Sequence, residues 1–145
     1  MPRPSAKADA GLASAVRDAV GRLARRLRAE RAATDLSLGQ LAALASLDRH
    51  GPMTPGELAA HEKVQPPSMT RIVARLEELG YVTRTPDLTD RRQVVMAASA
   101  SGRALLAEDR RRKDAWVSQR LRTLDRDEVA ALAAALPVLE KLSRL

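Results

Sequence analysis

TPGELAAHEKVQPPSMTRIVARLEELGYVTRTPDLTDRR, residues 54–92, decides the fold of this chain. Its first four residues form a helix start. The Thr54 hydroxyl can accept from an otherwise unpaired N–H, Pro55 at the first helical position gives up no hydrogen bond, and Glu57 can reach back to the Thr54 N–H. Met53 and Leu58 stand where two apolar side chains staple a helix entrance. The helix can run only to about His61, because Gln65-Pro66-Pro67 marks a second start.

That second helix carries Met69, Ile72, Val73, Leu76 and Leu79 at the spacing that gathers apolar side chains on one face, with Gly80 as its stop. The opposite face offers Gln65, Pro67, Ser68, Thr70 and Arg71, with Arg75 one turn further on. On an isolated helix such a face reads as solvated surface. The residues that follow shift the balance. Residues 81–84 and 93–96 are short β-prone runs, separated by Pro86-Asp87-Leu88-Thr89-Asp90-Arg91-Arg92. Proline, aspartate and threonine favour turns, so this is a hairpin, and its loop is too long for a two-residue turn. Two adjacent arginines close its distal end. Helix-turn-helix followed at once by a basic hairpin is the layout of a winged helix, in which the second helix can read a major groove while the wing reaches phosphates or a minor groove.

Leu79-Gly80-Tyr81-Val82, then Asp90-Arg91-Arg92, then Ser99-Ala100-Ser101-Gly102-Arg103 resembles the MarR (multiple antibiotic resistance regulator) family. Its members show a recognition helix ending in Leu-x-x-x-Gly, an Asp-x-Arg wing, and Leu-Thr-x-x-Gly ahead of the next helix. No single motif is specific; the ordered set is, and it spans nearly the whole chain. There are departures. Gln65 stands where a serine or threonine cap is usual, Ala98-Ser99 replaces Leu-Thr, and Pro66-Pro67 leaves the first helical turn short of donors. The resemblance implies a homodimer, most often a repressor, on a pseudo-palindromic operator in double-stranded DNA. It also implies a small-molecule effector, commonly an aromatic or phenolic anion bound between dimerisation helices and winged part, which alters the spacing of the two recognition helices. The thiol-oxidation switch of some relatives is not expected, since cysteine is absent.

At 145 residues the chain makes one domain, able to bury roughly two-thirds of its unfolded surface. The net charge of +7 comes mostly from arginine, which directs it to nucleic acid, anionic membranes or acidic partners without choosing among them. Without cysteine there is no disulfide, zinc–thiolate site or thiol redox switch. Residues 1–7 hold no apolar run of the kind a signal peptide needs. The longest apolar run, residues 129–139, is far short of the roughly 20 residues that span a bilayer. A soluble, cytoplasmic protein with no membrane partner is expected.

Residues 1 to about 8 read as a loose tail, followed by a helix over 8–31 with Leu12, Val16, Val20, Leu23 and Leu27 on one face. Arg22, Arg25, Arg26, Arg28 and Arg31 crowd its second half, a solvated basic face that also complements the negative end of the helix dipole. Ser37 and Gln40 form another capping box before Leu41, Leu44, Ala45 and Leu47. Ser99 caps a helix to about Arg122, and its charge run from Glu108 to Asp114 reads as exposed surface. Asp125 and Glu128 open the last helix. From Val129 to Leu139 that helix is apolar nearly all round, so it must be buried on more than one side, and a subunit interface is the expected cover. Pro137 is expected to bend it.

Catalysis is not expected. No Gly-rich phosphate loop or nucleophile elbow is present, and His50 and His61 read as capping or surface residues, leaving neither metal nor cofactor. Asp87 and Asp90 read as an ion pair with the wing arginines. The expected protein is mainly α with a small β-wing: a winged helix-turn-helix over 37–98, flanked by dimerisation helices over 8–31 and 99–145. Ser68, Thr70 and Arg71 are placed at base edges, Gln65 and Pro67 at the groove floor, Arg75 and Arg84 on phosphates, and Arg91 and Arg92 at the wing tip, with Asp90 steering one of them. Two other classes compete. An architectural DNA-binding protein would show no operator preference, and a protein–protein module would tolerate charge reversal at Arg71 and Arg92.

Overall fold

The computed structural model describes residues 6–144, with side chains from Asp9 onward. Of the tail expected over residues 1–8, residues 1–5 lie outside the described residues and residues 6–8 are already helical. In chain order the elements are α1 (Ala6–Ala29), α2 (Leu38–His50), α3 (Pro55–Glu62), α4 (Pro66–Glu78), β1 (Val82–Pro86), β2 (Val94–Ala98), α5 (Ala100–Leu121) and α6 (Arg126–Arg144). The architecture is the expected one, mainly helical with a two-stranded antiparallel wing. Internal contacts group residues 32–110 into one unit, and the residues up to 31 with those from 111 into another, the boundary falling inside α5. No helix among the described residues is long and apolar enough to cross a membrane.

The 32–110 unit is closed by local chemistry that the sequence announces. Ser37 Oγ accepts the Gln40 N–H at 3.2 Å while Gln40 Oε1 accepts the Ser37 N–H at 2.9 Å, and Thr54 and Glu57 repeat this reciprocal cap at 3.1 and 2.9 Å. The caps start α2 and α3, and these two helices together with α4 bring Leu44, Leu47, Leu58, Met69, Val73 and Leu76 into one core with Val82 and Met96 of the wing. Burying each of these aliphatic side chains stabilises the unit by about 1.5–3 kcal/mol before chain entropy is counted. Helix α4 ends in a Schellman closure. Gly80 takes φ +76°, its N–H reaches Glu77 O at 2.9 Å, and the Tyr81 N–H reaches Leu76 O at 2.9 Å.

Tyr81 is therefore not the first strand residue that its side chain suggests. Its N–H is spent on closing α4 and its carbonyl accepts the Ser99 N–H, so pairing starts at Val82↔Ala98 and runs to Pro86↔Val94, one or two residues beyond the expected strands. Pro86 is tolerated because it sits at the outer end of a two-stranded sheet. Leu79, expected on the core face, is 38% exposed instead. It caps α4 and lines a shallow depression with Ala33, Thr34, Asp35 and Tyr81. Met53 adds a one-residue third strand, exchanging hydrogen bonds with Met96 at 3.0 and 2.7 Å.

Two further residues depart from expectation. Lys63 occupies the left-handed region at φ 54° to end α3, where glycine would be unstrained. Asp109, expected on an exposed charged face, is 5% exposed and its Oδ1 accepts the Ala32 N–H at 2.9 Å, pinning the segment between α1 and α2. A buried backbone donor needs such a partner, and the helical pattern of a charge run does not reveal it.

In the other unit, α6 opens with the expected Asp125–Glu128 cap, at 2.8 and 2.9 Å, and stays helical through Pro137. It buries no residue within the chain. Val129, Leu132, Leu136, Val138, Leu139 and Leu142 are 37–59% exposed, and Leu12, Val20 and Leu23 of α1 are exposed to a similar degree. The Arg120 guanidinium lies over the Trp116 ring, 4.3 Å from its centroid.

Candidate nucleic-acid interface

Helix α4 has one buried and one open side, and its open side begins at the helix start. Met69, Val73 and Leu76 are buried, while Gln65, Pro67, Ser68, Thr70 and Arg71 are all exposed, where the 3.6-residue repeat puts them. Gln65 makes no side-chain cap bond. Pro66 and Pro67 have no N–H to give, and the Met69 N–H is bonded to Gln65 O at 3.0 Å. Of the donors that normally make a helix N-terminus an anion site, only those of Gln65 and Ser68 remain. This end of α4 is therefore suited to side-chain contacts rather than to a cradle of backbone amides.

The side chains differ in readiness. Ser68 and Arg71 are exposed and, among the described residues, make no side-chain hydrogen bond or ion pair, so both are open to a ligand. Thr70 is exposed, but its hydroxyl donates to Pro66 O at 3.0 Å, leaving it acceptor capacity and a methyl group. Arg75 pairs with Glu78 at 2.8 Å and Arg84 with Glu77 at 3.1 Å, all four side chains being 40–68% exposed. Such exposed pairs contribute about 0–1 kcal/mol. A phosphate can displace either carboxylate at small cost.

The wing tip is built differently from the ion pair expected there. Asp90 Oδ1 accepts the Arg92 backbone N–H at 3.0 Å, and the Gln93 N–H reaches Asp90 O at 2.9 Å. Asp87 Oδ1 accepts from both the backbone N–H and the hydroxyl of Thr89, each at 3.1 Å, and the Asp87 N–H closes on Gln93 O at 2.9 Å. Both aspartates thus shape the loop through its backbone, and among the described residues neither Arg91 nor Arg92 has an ion-pair partner. An aspartate two residues before an amide forms a local turn more readily than it holds a long, mobile arginine in water.

Behind the wing, Ser99 Oγ accepts the Gly102 N–H at 3.1 Å, and both Ser99 and Ser101 donate to Gly80 O, at 2.6 and 2.7 Å. The start of α5 is thereby tied to the end of α4. Gly102 permits this approach, since a Cβ there would stand 2.2 Å from Tyr81 O. One juxtaposition escaped sequence reasoning: the imidazoles of His50 and His61, eleven positions apart, lie with centroids 4.7 Å apart and tilted by 60°. Among the described residues no three side chains gather as a metal site.

Residues 36–94 match the MarR family. A helix-turn-helix-type transcriptional regulator of Mycobacterium bovis is 46% identical over 127 residues, 88% of this chain and 89% of its own length. A crystal structure of a transcriptional regulator from Pseudomonas aeruginosa superimposes with a TM-score of 0.87 at 33% identity, over 98% of this chain and 99% of its own. Wild-type MarR from E. coli superimposes at 0.73 with 26% identity, covering 88% and 95% of the two chains.

Proposed function

This chain belongs to the MarR family of helix-turn-helix transcriptional regulators, and from that premise we propose that it is a homodimeric, cytoplasmic repressor of a pseudo-palindromic operator in double-stranded DNA, released by a small aromatic or phenolic anion. The observation that carries the DNA half of the proposal is the exposed pair Ser68 and Arg71 on the open side of α4, together with Arg91 and Arg92 on a bonded wing loop, all four without a side-chain partner among the described residues. In this reading α4 enters a major groove. Ser68 and Arg71 meet base edges, Thr70 contributes its methyl or an acceptor lone pair, and Gln65 and Pro67 face the groove floor. Arg75 and Arg84 exchange their carboxylates for phosphates, Arg91 and Arg92 lie along the wing, and Asp90 holds the loop that carries them.

The dimer half rests on α6, none of whose described residues is buried and whose large apolar side chains are 37–59% exposed. In the proposed division of labour residues 37–98 read DNA while 8–31 and 99–145 dimerise. Two-fold symmetry then places half-site centres about one helical turn apart, roughly 10 bp.

Footprinting on the DNA flanking the protein's own gene tests this reading. Protection of two inverted half-sites, relieved by phenolic carboxylates, is the expected result. Equal affinity for that DNA and random duplex would replace the repressor with an architectural protein. An effector needs a coupling of only about 1–3 kcal/mol to act as a switch.

A further inference from the structure

Leu88 is 99% exposed, far beyond the next large apolar side chain, Leu12 at 63%. Single exposed leucines are common on protein surfaces and ordinarily carry no message. This one differs in how it is held. It lies between Asp87 and Thr89, which are joined by two hydrogen bonds of 3.1 Å, in a loop closed by Asp87 N–H to Gln93 O at 2.9 Å and Gln93 N–H to Asp90 O at 2.9 Å. The loop cannot readily fold back to cover the side chain without giving up those bonds. Arg91 and Arg92, unpaired among the described residues, stand three and four positions further on. The tip is therefore an apolar point with cations beside it on a braced hairpin.

A DNA minor groove has complementary chemistry: phosphate walls for the cations and deoxyribose C–H surface for an aliphatic side chain. Proteins that enter that groove frequently insert such a side chain at a base step, partly unstacking it and bending the duplex. We infer that Leu88 is a minor-groove wedge, seated against the sugars and prising at a base step on the outer flank of each half-site, while Arg91 and Arg92 lie on the bounding phosphates. This rests on the operator-binding reading above. It adds a specificity that no hydrogen bond supplies, since flexible pyrimidine–purine steps yield to a wedge more readily than stiff A-tracts.

The test uses the full-length protein, its footprinted operator and end-labelled duplexes that report bending by energy transfer. Leu88→Ala should weaken operator binding roughly tenfold, because less apolar surface leaves water, and straighten the bound duplex. The slope of affinity against salt should stay unchanged, because no charge is removed. Leu88→Met should retain both affinity and bend. The side chain is exposed, so unchanged thermal unfolding of both variants will show that folding is not the cause. Unaltered affinity and bend in Leu88→Ala would overturn the wedge and leave the operator reading standing. Loss confined to phosphatidylglycerol vesicle binding would overturn it in favour of a membrane contact. Failure of the wild-type protein to prefer its footprinted operator over random duplex would take down the operator reading and the wedge with it.

Discussion

Arg71 and Gly102 show how differently two single residues can matter. Arg71 is exposed on α4 and, with Arg75 paired to Glu78, is the arginine on the open side of that helix that makes no ion pair among the described residues. Arg71→Ala should leave the unfolding midpoint unchanged, cost about 1–3 kcal/mol of operator binding and relax discrimination at one base pair. Competition with single-base operator variants would read this out, and undiminished discrimination would remove Arg71 from the reading face. Gly102 is buried and touches no proposed ligand. The Cβ of Gly102→Ala would meet backbone, Tyr81 O at 2.2 Å, with Leu44 Cδ1 at 3.0 Å, so relief needs α5 to move away from the end of α4. Overpacking of this kind costs about 1–3 kcal/mol, visible as a lower midpoint in urea. An unchanged midpoint would mean that the α4–α5 junction is looser than its two serine hydrogen bonds to Gly80 O indicate.

At the scale of elements, the wing joins a legible part to an illegible one. Its turn residues, its two arginines and its strands can be read from the sequence because they are local chemistry. The role of its aspartates cannot, since a carboxylate beside an arginine has both an ion pair and a backbone turn open to it, and only geometry decides between them. Here both aspartates brace the backbone and leave the arginines without an ion-pair partner among the described residues. Arg92→Ala should accordingly weaken specific and random duplex binding alike and make the salt slope shallower by about one unit for each phosphate no longer neutralised. A loss restricted to one sequence would instead make Arg92 a base reader. Other features escaped the sequence for similar reasons. The strand boundaries moved because the Tyr81 N–H closes a helix, Asp109 is buried because a distant amide needs an acceptor, and His50 meets His61 through packing that no periodicity encodes. The caps and the core face of α4 as far as Leu76 were legible, each set by residues within a few positions of one another.

Over the whole molecule, charge and apolar surface are unevenly divided. Residues 32–110 hold nine basic and ten acidic side chains, a net of −1, while the rest of the chain holds sixteen basic against eight acidic, a net of +8. The segment proposed to read DNA is thus basic only at particular points, and the surplus positive charge lies in the terminal segments. Arg22, Arg25 and Arg26 of α1 are exposed there. Replacing these three with glutamine should slow association with DNA at low salt by about tenfold or more and leave dissociation nearly unchanged, because steering acts on encounter. Stopped-flow rates across a salt series would show it, and an unchanged on-rate would confine the attraction to the wing. The same terminal helices carry the exposed leucines that the proposed dimer would cover. Leu132 and Leu136, 41% and 53% exposed, are four residues apart on α6 and so lie along one face. Glutamate at both positions would place two charges per helix inside the proposed interface, at a cost that the remaining apolar contacts cannot offset. The double variant should elute at the monomer mass with residues 32–110 still folded, and its operator affinity should fall by about 10²–10⁴ as the second half-site ceases to be bound intramolecularly. A variant that stays dimeric would place the subunit contact elsewhere than α6, whereas a monomer binding the operator as tightly as wild type would show that one α4 and one wing suffice.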